Sequence, residues 1–255
     1  MTPASADPRR RRGLVSRRQV TLGLGALALL GAGTLAGPRL RLGWRADILT
    51  GVAEMRPVRL ADGSLLSVGP DSAIAVALSH SERRITLFEG MVMCDVAKDA
   101  TRPFVVATAG LTATALDTRV EVTRNGSLSA TGVEEGQVRV AIDGQPADAP
   151  LGAGDRLSVE TETGKVRRGR DAPTRVAAWR QNLLIADQQE GGNVVAQIAR
   201  WRKGRVLIAD AGLASSPVSG LFDLSDTDAA LEAVVKPYEG KVRHLSPWLT
   251  IVSRF

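Results

Sequence analysis

A run of 20 uncharged residues lies between Arg18 and Arg39, and it constrains everything that follows in the chain. A helix of this length spans about 30 Å, the thickness of the hydrocarbon core of a bilayer. Six of the 18 residues before the run are arginines, and such clusters stay on the cytoplasmic side of a membrane. We therefore expect residues 1–18 to be a short basic cytoplasmic tail and residues 19–38 a transmembrane helix. We expect a single membrane span with the N-terminus in the cytoplasm and the bulk of the chain outside it.

The same run also has the features of a cleaved export signal. A basic start, a centre rich in Leu and Ala, and small residues around positions 34–36 are typical of signal peptides. Residues 16–20, Ser-Arg-Arg-Gln-Val, resemble the start of a twin-arginine signal. Arginines at positions 39, 41 and 45 favour a retained anchor, because they can contact headgroups at the far end of the span. Both interpretations place the folded part outside the cytoplasm.

Charge and cysteine content limit the possible functions of this exported part. The chain has a formal net charge of +6, and the tail of six Arg and Asp7 contributes +5 of it. The exported part is thus nearly neutral, which argues against direct binding of nucleic acid. Cys94 is the single cysteine, so no intramolecular disulfide can form and packed cores must hold the fold together.

Residues 48–168 have the pattern of an all-β domain. The pairs Asp62-Gly63 and Asn125-Gly126 are typical of tight hairpin turns. Short apolar runs recur about every 8 to 12 residues, with alternation as in residues 74–78, and no helical period of useful length interrupts them. This spacing predicts a β-sandwich, a barrel or a β-solenoid-like stack.

The composition changes near residue 170. Residues 165–174 are charged and contain Pro173, which indicates a linker. Beyond it, residues 179–252 alternate between strand and helix patterns in the order β-α-β-β-α-β-β, which predicts a small α+β domain of the split βαβ type. We expect its helices to begin at Asn193 and Ser225, since these residue types cap helix N-termini.

Residues with catalytic or ligand-binding chemistry are scarce. The two histidines, His80 and His244, fall in different domains, and neither has Cys or carboxylate neighbours at metal-ligand spacing. No nucleophile elbow and no phosphate-binding loop occurs. We therefore expect no enzyme activity, no catalytic residues, no cofactor and no metal, and a function in binding another protein.

Tryptophans and one apolar strand are the candidate binding elements. Three of the four tryptophans fall in the C-terminal domain, where they serve either as core packing or as aromatic anchors for a partner. The run 218–222 can be an interior strand or a strand that pairs with a partner's strand. The candidate partner-binding residues are Val218, Ser219, Gly220, Leu221, Phe222, Trp201 and Trp248.

Several short motifs follow one another in a fixed order, and the most specific is the run DVAKDATRPFVV at residues 95–106. Together they resemble the FecR family of membrane-bound sigma-factor regulators. The C-terminal part, from Trp179 to residues 229–231, resembles the family's tail, which is similar to secretin/TonB short N-terminal domains. The other matching segments are residues 59–64, 72–73, 84–90, 116–122, 135–138 and 154–157.

The resemblance implies a signalling relay at the inner membrane, with a single-pass protein whose N-terminus is cytoplasmic and whose bulk is periplasmic. An outer-membrane TonB-dependent transporter, occupied by a ferric siderophore or ferric citrate, would present a periplasmic signalling domain to the C-terminal region. An extracytoplasmic-function sigma factor would then be released or activated. Asp117 stands where the family usually has Gly, and Cys94 where it has an aromatic residue. The 18-residue tail is shorter than the family's sigma-binding region, which favours the alternative of an exported periplasmic β-rich binding or scaffold protein without a sigma-factor role.

Overall fold

The structure, a computed structural model, describes residues 44–115 and 117–254. The predicted tail and the apolar span at residues 19–38 lie outside the described residues. Within the described part, no helix has the length and apolar character needed to cross a membrane. The chain from Arg45 onward forms one compact unit.

The β region, residues 48–170, confirms the prediction of a mainly β fold. Its strands form one curled, half-barrel sheet with the order β11-β10-β7-β6-β5-β8-β9-β13-β14 along its main path, and the remaining strands branch from it. The strands are β1 (Ile48–Leu49), β2 (Arg56–Arg59), β3 (Leu65–Val68), β4 (Ala73–Leu78), β5 (Arg83–Asp95), β6 (Phe104–Thr108), β7 (Leu111–Ala115), β8 (Arg119–Asn125), β9 (Leu128–Glu135), β10 (Gln137–Ile142), β11 (Gln145–Pro146), β12 (Leu151–Gly152), β13 (Asp155–Glu160) and β14 (Lys165–Arg170).

Strand β5 joins the two halves of this sheet. Its first half pairs with β4 and β6, and its second half pairs with β3 and β8. Between the halves, Gly90 has a φ of +101°, a conformation that residues with a Cβ rarely adopt. A Cβ at Gly90 would lie 2.5 Å from the Cα of Ser72, whose hydroxyl accepts a hydrogen bond from the N–H of Met91. Gly90 is therefore the point at which the sheet can bend.

The second half of β5 divides two hydrophobic cores. Val92 and Cys94 point into the core of the β region, whereas Met91 and Met93 belong to a second core with residues of the C-terminal region. This division follows from the strand period of two, which sends successive side chains to opposite faces. Cys94 is fully buried in the first core, and burial raises the pKa of its thiol well above the usual range.

The C-terminal region, residues 173–253, mixes helices and strands as predicted, but its strands lie in two sheets. Strands β15 and β17 form an antiparallel pair, while β16 pairs in parallel with β19, which pairs with β18. The split βαβ arrangement is therefore not confirmed. The elements are two 3₁₀ turns (Pro173–Arg175 and Ala178–Gln181), β15 (Leu183–Glu190), α1 (Gly191–Ala199), β16 (Arg205–Ile208), α2 (Ala211–Ser215), β17 (Pro217–Asp223), α3 (Thr227–Val235), a third 3₁₀ turn (Lys236–Tyr238), β18 (Lys241–Ser246) and β19 (Leu249–Ser253).

Three local predictions were wrong. Most of the predicted linker is strand β14, which pairs along its whole length with β13 although all six of its side chains are exposed. Helix α1 begins at Gly191 rather than at Asn193, because β15 runs on to Glu190. Helix α3 is capped by Asp226 rather than by Ser225, since the carboxylate of Asp226 accepts a hydrogen bond from the N–H of Ala229.

Two buried polar contacts fasten the C-terminal region to the β region. The indole N–H of Trp179 donates to a carboxylate oxygen of Glu121 over 2.7 Å, and the second oxygen lies 3.3 Å from Arg156. The buried side chain of Arg200 donates to the carbonyls of Asp71 (2.8 Å) and Arg124 (3.1 Å). A hydrogen bond to a charged group contributes about 1.5–3 kcal/mol, so these contacts fix how the two regions pack.

The bend at Gly90 leads to the first prediction. Gly90→Ala is expected to lower the free energy of unfolding by about 3 kcal/mol or more, because the new methyl group collides with Ser72 in a strained backbone conformation. Gly126→Ala is the matched control: its φ is +60°, but a Cβ there meets nothing within 4 Å, so a loss of about 1 kcal/mol is expected. Urea unfolding followed by circular dichroism measures both, and equal losses would contradict the assignment of the bend.

The contact between Trp179 and Glu121 leads to the second prediction. Trp179→Phe leaves the Glu121 carboxylate, which is only 3% exposed, without its indole donor, and the free energy of unfolding is expected to fall by about 3 kcal/mol. Trp201→Phe removes the same ring atoms from a half-buried site in the second core and is expected to cost about 1 kcal/mol. The same unfolding experiment compares the two, and a Trp179→Phe protein as stable as Trp201→Phe would disprove the role of this bond.

Candidate partner-binding site

The strand predicted to bind a partner is β17, and it lies in a two-stranded ribbon. Its one partner among the described strands is β15, so the opposite edge of β17 pairs with no strand in the part of the chain that the structure describes. Val218 and Phe222 are buried in the second core, whereas Ser219 and Leu221 are exposed, Leu221 by 64%. The alternation thus fixes one face of β17 in the core and presents the other to solvent.

A bulge shapes the middle of this ribbon. The pairing register shifts between Ala186 and Gln189, and Gln188 has a φ of +47°. The backbone N–H and the side-chain amide of Gln188 both donate to the hydroxyl of Ser219, over 2.9 and 3.0 Å. A bulge of this kind increases the local twist and interrupts regular pairing. Ser219 therefore holds the bulge in place and is not simply an exposed side chain.

Beside the ribbon lies an open groove of about 1510 Å³, which we call the ribbon groove. One wall is β15, and the opposite wall is the strongly basic strand β14 at the edge of the curled sheet. The side chain of Arg167 bridges the walls and donates to the carbonyl of Gln188 over 2.8 Å. Trp201, Gly220 and Leu221 also line this groove, so the structure brings three of the seven predicted residues together there.

Charged side chains of both signs line the ribbon groove. The β14 sequence, Lys-Val-Arg-Arg-Gly-Arg, holds four basic side chains and no acidic one. The β15 wall carries the acidic side chains of Asp187 and Glu190. At the far end of β17, the hydroxyl and backbone N–H of Ser225 hold the pKa of Asp223 below its usual range. The groove can therefore accept an extended segment with charges of both signs along its sides.

The other predicted residues lie elsewhere. Trp248 is 70% exposed and lies in the turn between β18 and β19, in the other sheet of the C-terminal region. Val218 and Phe222 are core residues, and Ser219 serves the bulge. The two basic residues that define the joint and the groove, Arg200 and Arg167, were missed, because neither lies in a motif and both make contacts distant in sequence.

The described part of the groove holds no metal-binding cluster. Among the described residues, no group of three or more His, Cys, Asp or Glu side chains could hold a metal ion. His244 lies outside the groove, where Nδ1 is 3.1 Å from the hydroxyl of Thr250 and Nε2 is 3.7 Å from Asp228. The groove offers backbone edges, charged side chains and exposed apolar surface, a combination suited to binding a protein segment.

Comparison with known proteins agrees with the motifs found in the sequence. The family model described as "FecR protein" matches residues 46–139, which run from just before β1 into β10. None of the curated proteins matches the chain in sequence. The match therefore covers most of the β region and none of the C-terminal region.

Two crystal structures of a candidate anti-sigma factor from Parabacteroides distasonis ATCC 8503, at 1.65 and 2.50 Å resolution, have a similar fold. The TM-scores are 0.74 and 0.73, with 18% sequence identity in both cases. Each match covers 82% of this chain and 98% of the crystallised chain, so the similarity extends over both regions. Residues 46–139 are thus identified as a FecR domain.

Proposed function

We propose that this protein regulates an extracytoplasmic-function sigma factor from the inner membrane, in response to an occupied TonB-dependent outer-membrane transporter. The observation that carries the proposal is the FecR domain at residues 46–139 in a chain whose fold is similar to that of a candidate anti-sigma factor. The apolar run at residues 19–38, with arginines on its N-terminal side, supports a single membrane span with the N-terminus in the cytoplasm. The transported ligand would be a ferric siderophore or ferric citrate.

The ribbon groove is where we place the transporter's periplasmic signalling domain. On the sides where β14 and β15 pair with no strand of the described chain, these two walls of the groove allow strand addition, with the exposed side chain of Leu221 beside them. In strand addition, backbone hydrogen bonds give affinity and alternate side chains give specificity. A bound segment would also contact Glu121, Trp179 and Arg200, which line the groove and join the two regions. Occupation of the groove would thus act directly on the joint between the C-terminal region and the FecR domain.

Recovery of partners from membranes tests the proposed relay. The full chain with a C-terminal tag is purified from membranes of its native host, and the co-purifying proteins are identified by mass spectrometry. We expect a sigma factor and a TonB-dependent transporter among them. Recovery of neither, together with a soluble periplasmic protein cleaved near residue 37, would contradict the relay and favour the alternative of an exported scaffold protein.

Leu221→Glu tests the position of the transporter contact. The substitution places a charge on the exposed face of β17, where Leu221 is 64% exposed, and is expected to weaken binding of the signalling domain at least tenfold. Leu245→Glu is the matched control, because Leu245 is similarly exposed, by 61%, but lies in the other sheet. Titration calorimetry with the purified signalling domain measures both affinities. Equal losses, or a loss only for Leu245→Glu, would exclude the ribbon groove as the contact.

A further inference from the structure

The sheet formed by β16, β19 and β18 has one face without a covering element among the described residues. Its inner side chains, Val206, Ile208, Val242 and Val252, pack into the second core. On the opposite face of the sheet, Ile251 of β19 lies between Leu207 of β16 and Arg243 of β18. The next pair along the strands on this face is Arg205 and Leu249. We call these five residues the outer face; Leu207 is 48% exposed.

The turn between β18 and β19 extends this face with two large apolar side chains. Leu245 precedes Ser246 and Pro247, and Trp248 follows them. Residues 245–248 form the hairpin tip, whose Leu and Trp are 61% and 70% exposed. The tip is held against the start of β16, where the N–H of Arg205 donates to the carbonyl of Trp248 over 2.8 Å. Its exposed apolar side chains are thus presented by a paired backbone.

The charged side chains of the three strands beside the tip are all basic. Strands β16, β18 and β19 contain no Asp or Glu. Lys203, Arg205, Lys241 and Arg243 are all exposed, and Lys203 and Arg205 flank the glycine whose Cα packs beneath the backbone of Trp248. The outer face and hairpin tip therefore combine an apolar centre and an aromatic side chain with basic surroundings.

We propose that the outer face and hairpin tip dock on the surface of an anionic lipid bilayer. Trp is favoured at the headgroup level, where its ring is partly apolar and its N–H remains hydrated. Basic side chains close to an anionic surface add attraction that falls off within a Debye length. This inference rests on the membrane location in the proposed function. It gives the hairpin tip a lipid-binding role separate from the ribbon groove, in which the outer face takes no part.

A dye on the hairpin tip tests the contact with lipid. The full chain with Ser246→Cys is labelled with the environment-sensitive dye NBD and mixed with vesicles of phosphatidylglycerol or phosphatidylcholine during detergent removal. Buried Cys94 does not compete for the dye, because its thiol is inaccessible and remains protonated. We expect a blue shift and quenching by spin-labelled lipid with phosphatidylglycerol, and a much weaker response with phosphatidylcholine or in 1 M salt.

Matched variants show whether the lipid response depends on the hairpin tip or on another part of the molecule. Glu162→Cys labels another exposed turn, between β13 and β14, and is expected to show no response to either lipid. In the Ser246→Cys background, Arg243→Glu changes the charge by two units and is expected to weaken the lipid response about twentyfold. The pair Leu245→Ser and Trp248→Ser is expected to abolish it, whereas Leu221→Ser, on the ribbon, leaves it unchanged.

The experiment distinguishes docking of the hairpin tip on lipid from anchoring by the apolar run at residues 19–38. Flotation of the chain with both lipids reports the anchor, and the dye at position 246 reports the docking. If the chain floats with both lipids while the dye gives the same emission in both, the docking is overturned, the anchor stands, and a protein partner becomes the candidate for this face. A chain that floats only with phosphatidylglycerol, and only with Leu245 and Trp248 intact, supports the docking and contradicts the anchor. Flotation with neither lipid overturns both.

Discussion

The bend of β5 at Gly90 is the constraint on which the rest of the structure depends. Both halves of the curled sheet pair with this one strand, β4 and β6 with its first half and β3 and β8 with its second. The bend requires a positive φ, and it brings the chain so close to buried Ser72 that only a residue without a Cβ fits. The hydroxyl of Ser72 then accepts from the N–H of Met91 and donates to the carbonyl of Gly69. The hydroxyl of Ser72 thus occupies the space in which a side chain at position 90 would lie, and its hydrogen bonds hold the bend in place.

The same strand also determines where the C-terminal region packs. Beyond the bend, Met91 and Met93 emerge on the back of the sheet, and the second core forms around them. Glu121 on neighbouring β8 lies on that side too, and the Trp179 indole satisfies its buried carboxylate. A buried charge without a partner is costly, so the indole contact favours one placement of the C-terminal region over others. Since the ribbon groove is lined by both residues, a segment bound there would act on the contact that joins the two regions.

Local signals in the sequence predicted local structure well. Asp62-Gly63 and Asn125-Gly126 are turns of the β2–β3 and β8–β9 hairpins, because a positive φ is required there whatever surrounds it.

Strand β14 was mistaken for a linker, since none of its side chains is buried and its sequence shows no apolar–polar alternation. Its backbone pairing with β13 alone makes it a strand. Strand β5 runs on through Glu89-Gly90, although a glycine after a polar residue is often the sign of a turn. The FecR resemblance rested on ordered motifs of the β region, where the family model matches. The joint could not be predicted, since Trp179 and Glu121 are 58 residues apart.

Two basic surfaces of this molecule have different surroundings, which suit them to different kinds of binding partner. On β14, the arginines line an edge beside a second, partly acidic edge, so charges of both signs face a groove whose volume suits an extended chain. On β16 and β18, basic side chains surround exposed Leu and Trp, and no carboxylate lies in the same strands. Mixed charge beside unpaired backbone favours a protein strand, which brings its own backbone groups. Basic side chains around exposed apolar side chains favour binding to a surface that is anionic outside and apolar beneath, as a bilayer is. The proposed regulator at a membrane would need both kinds of surface, and this fold keeps them on separate sheets.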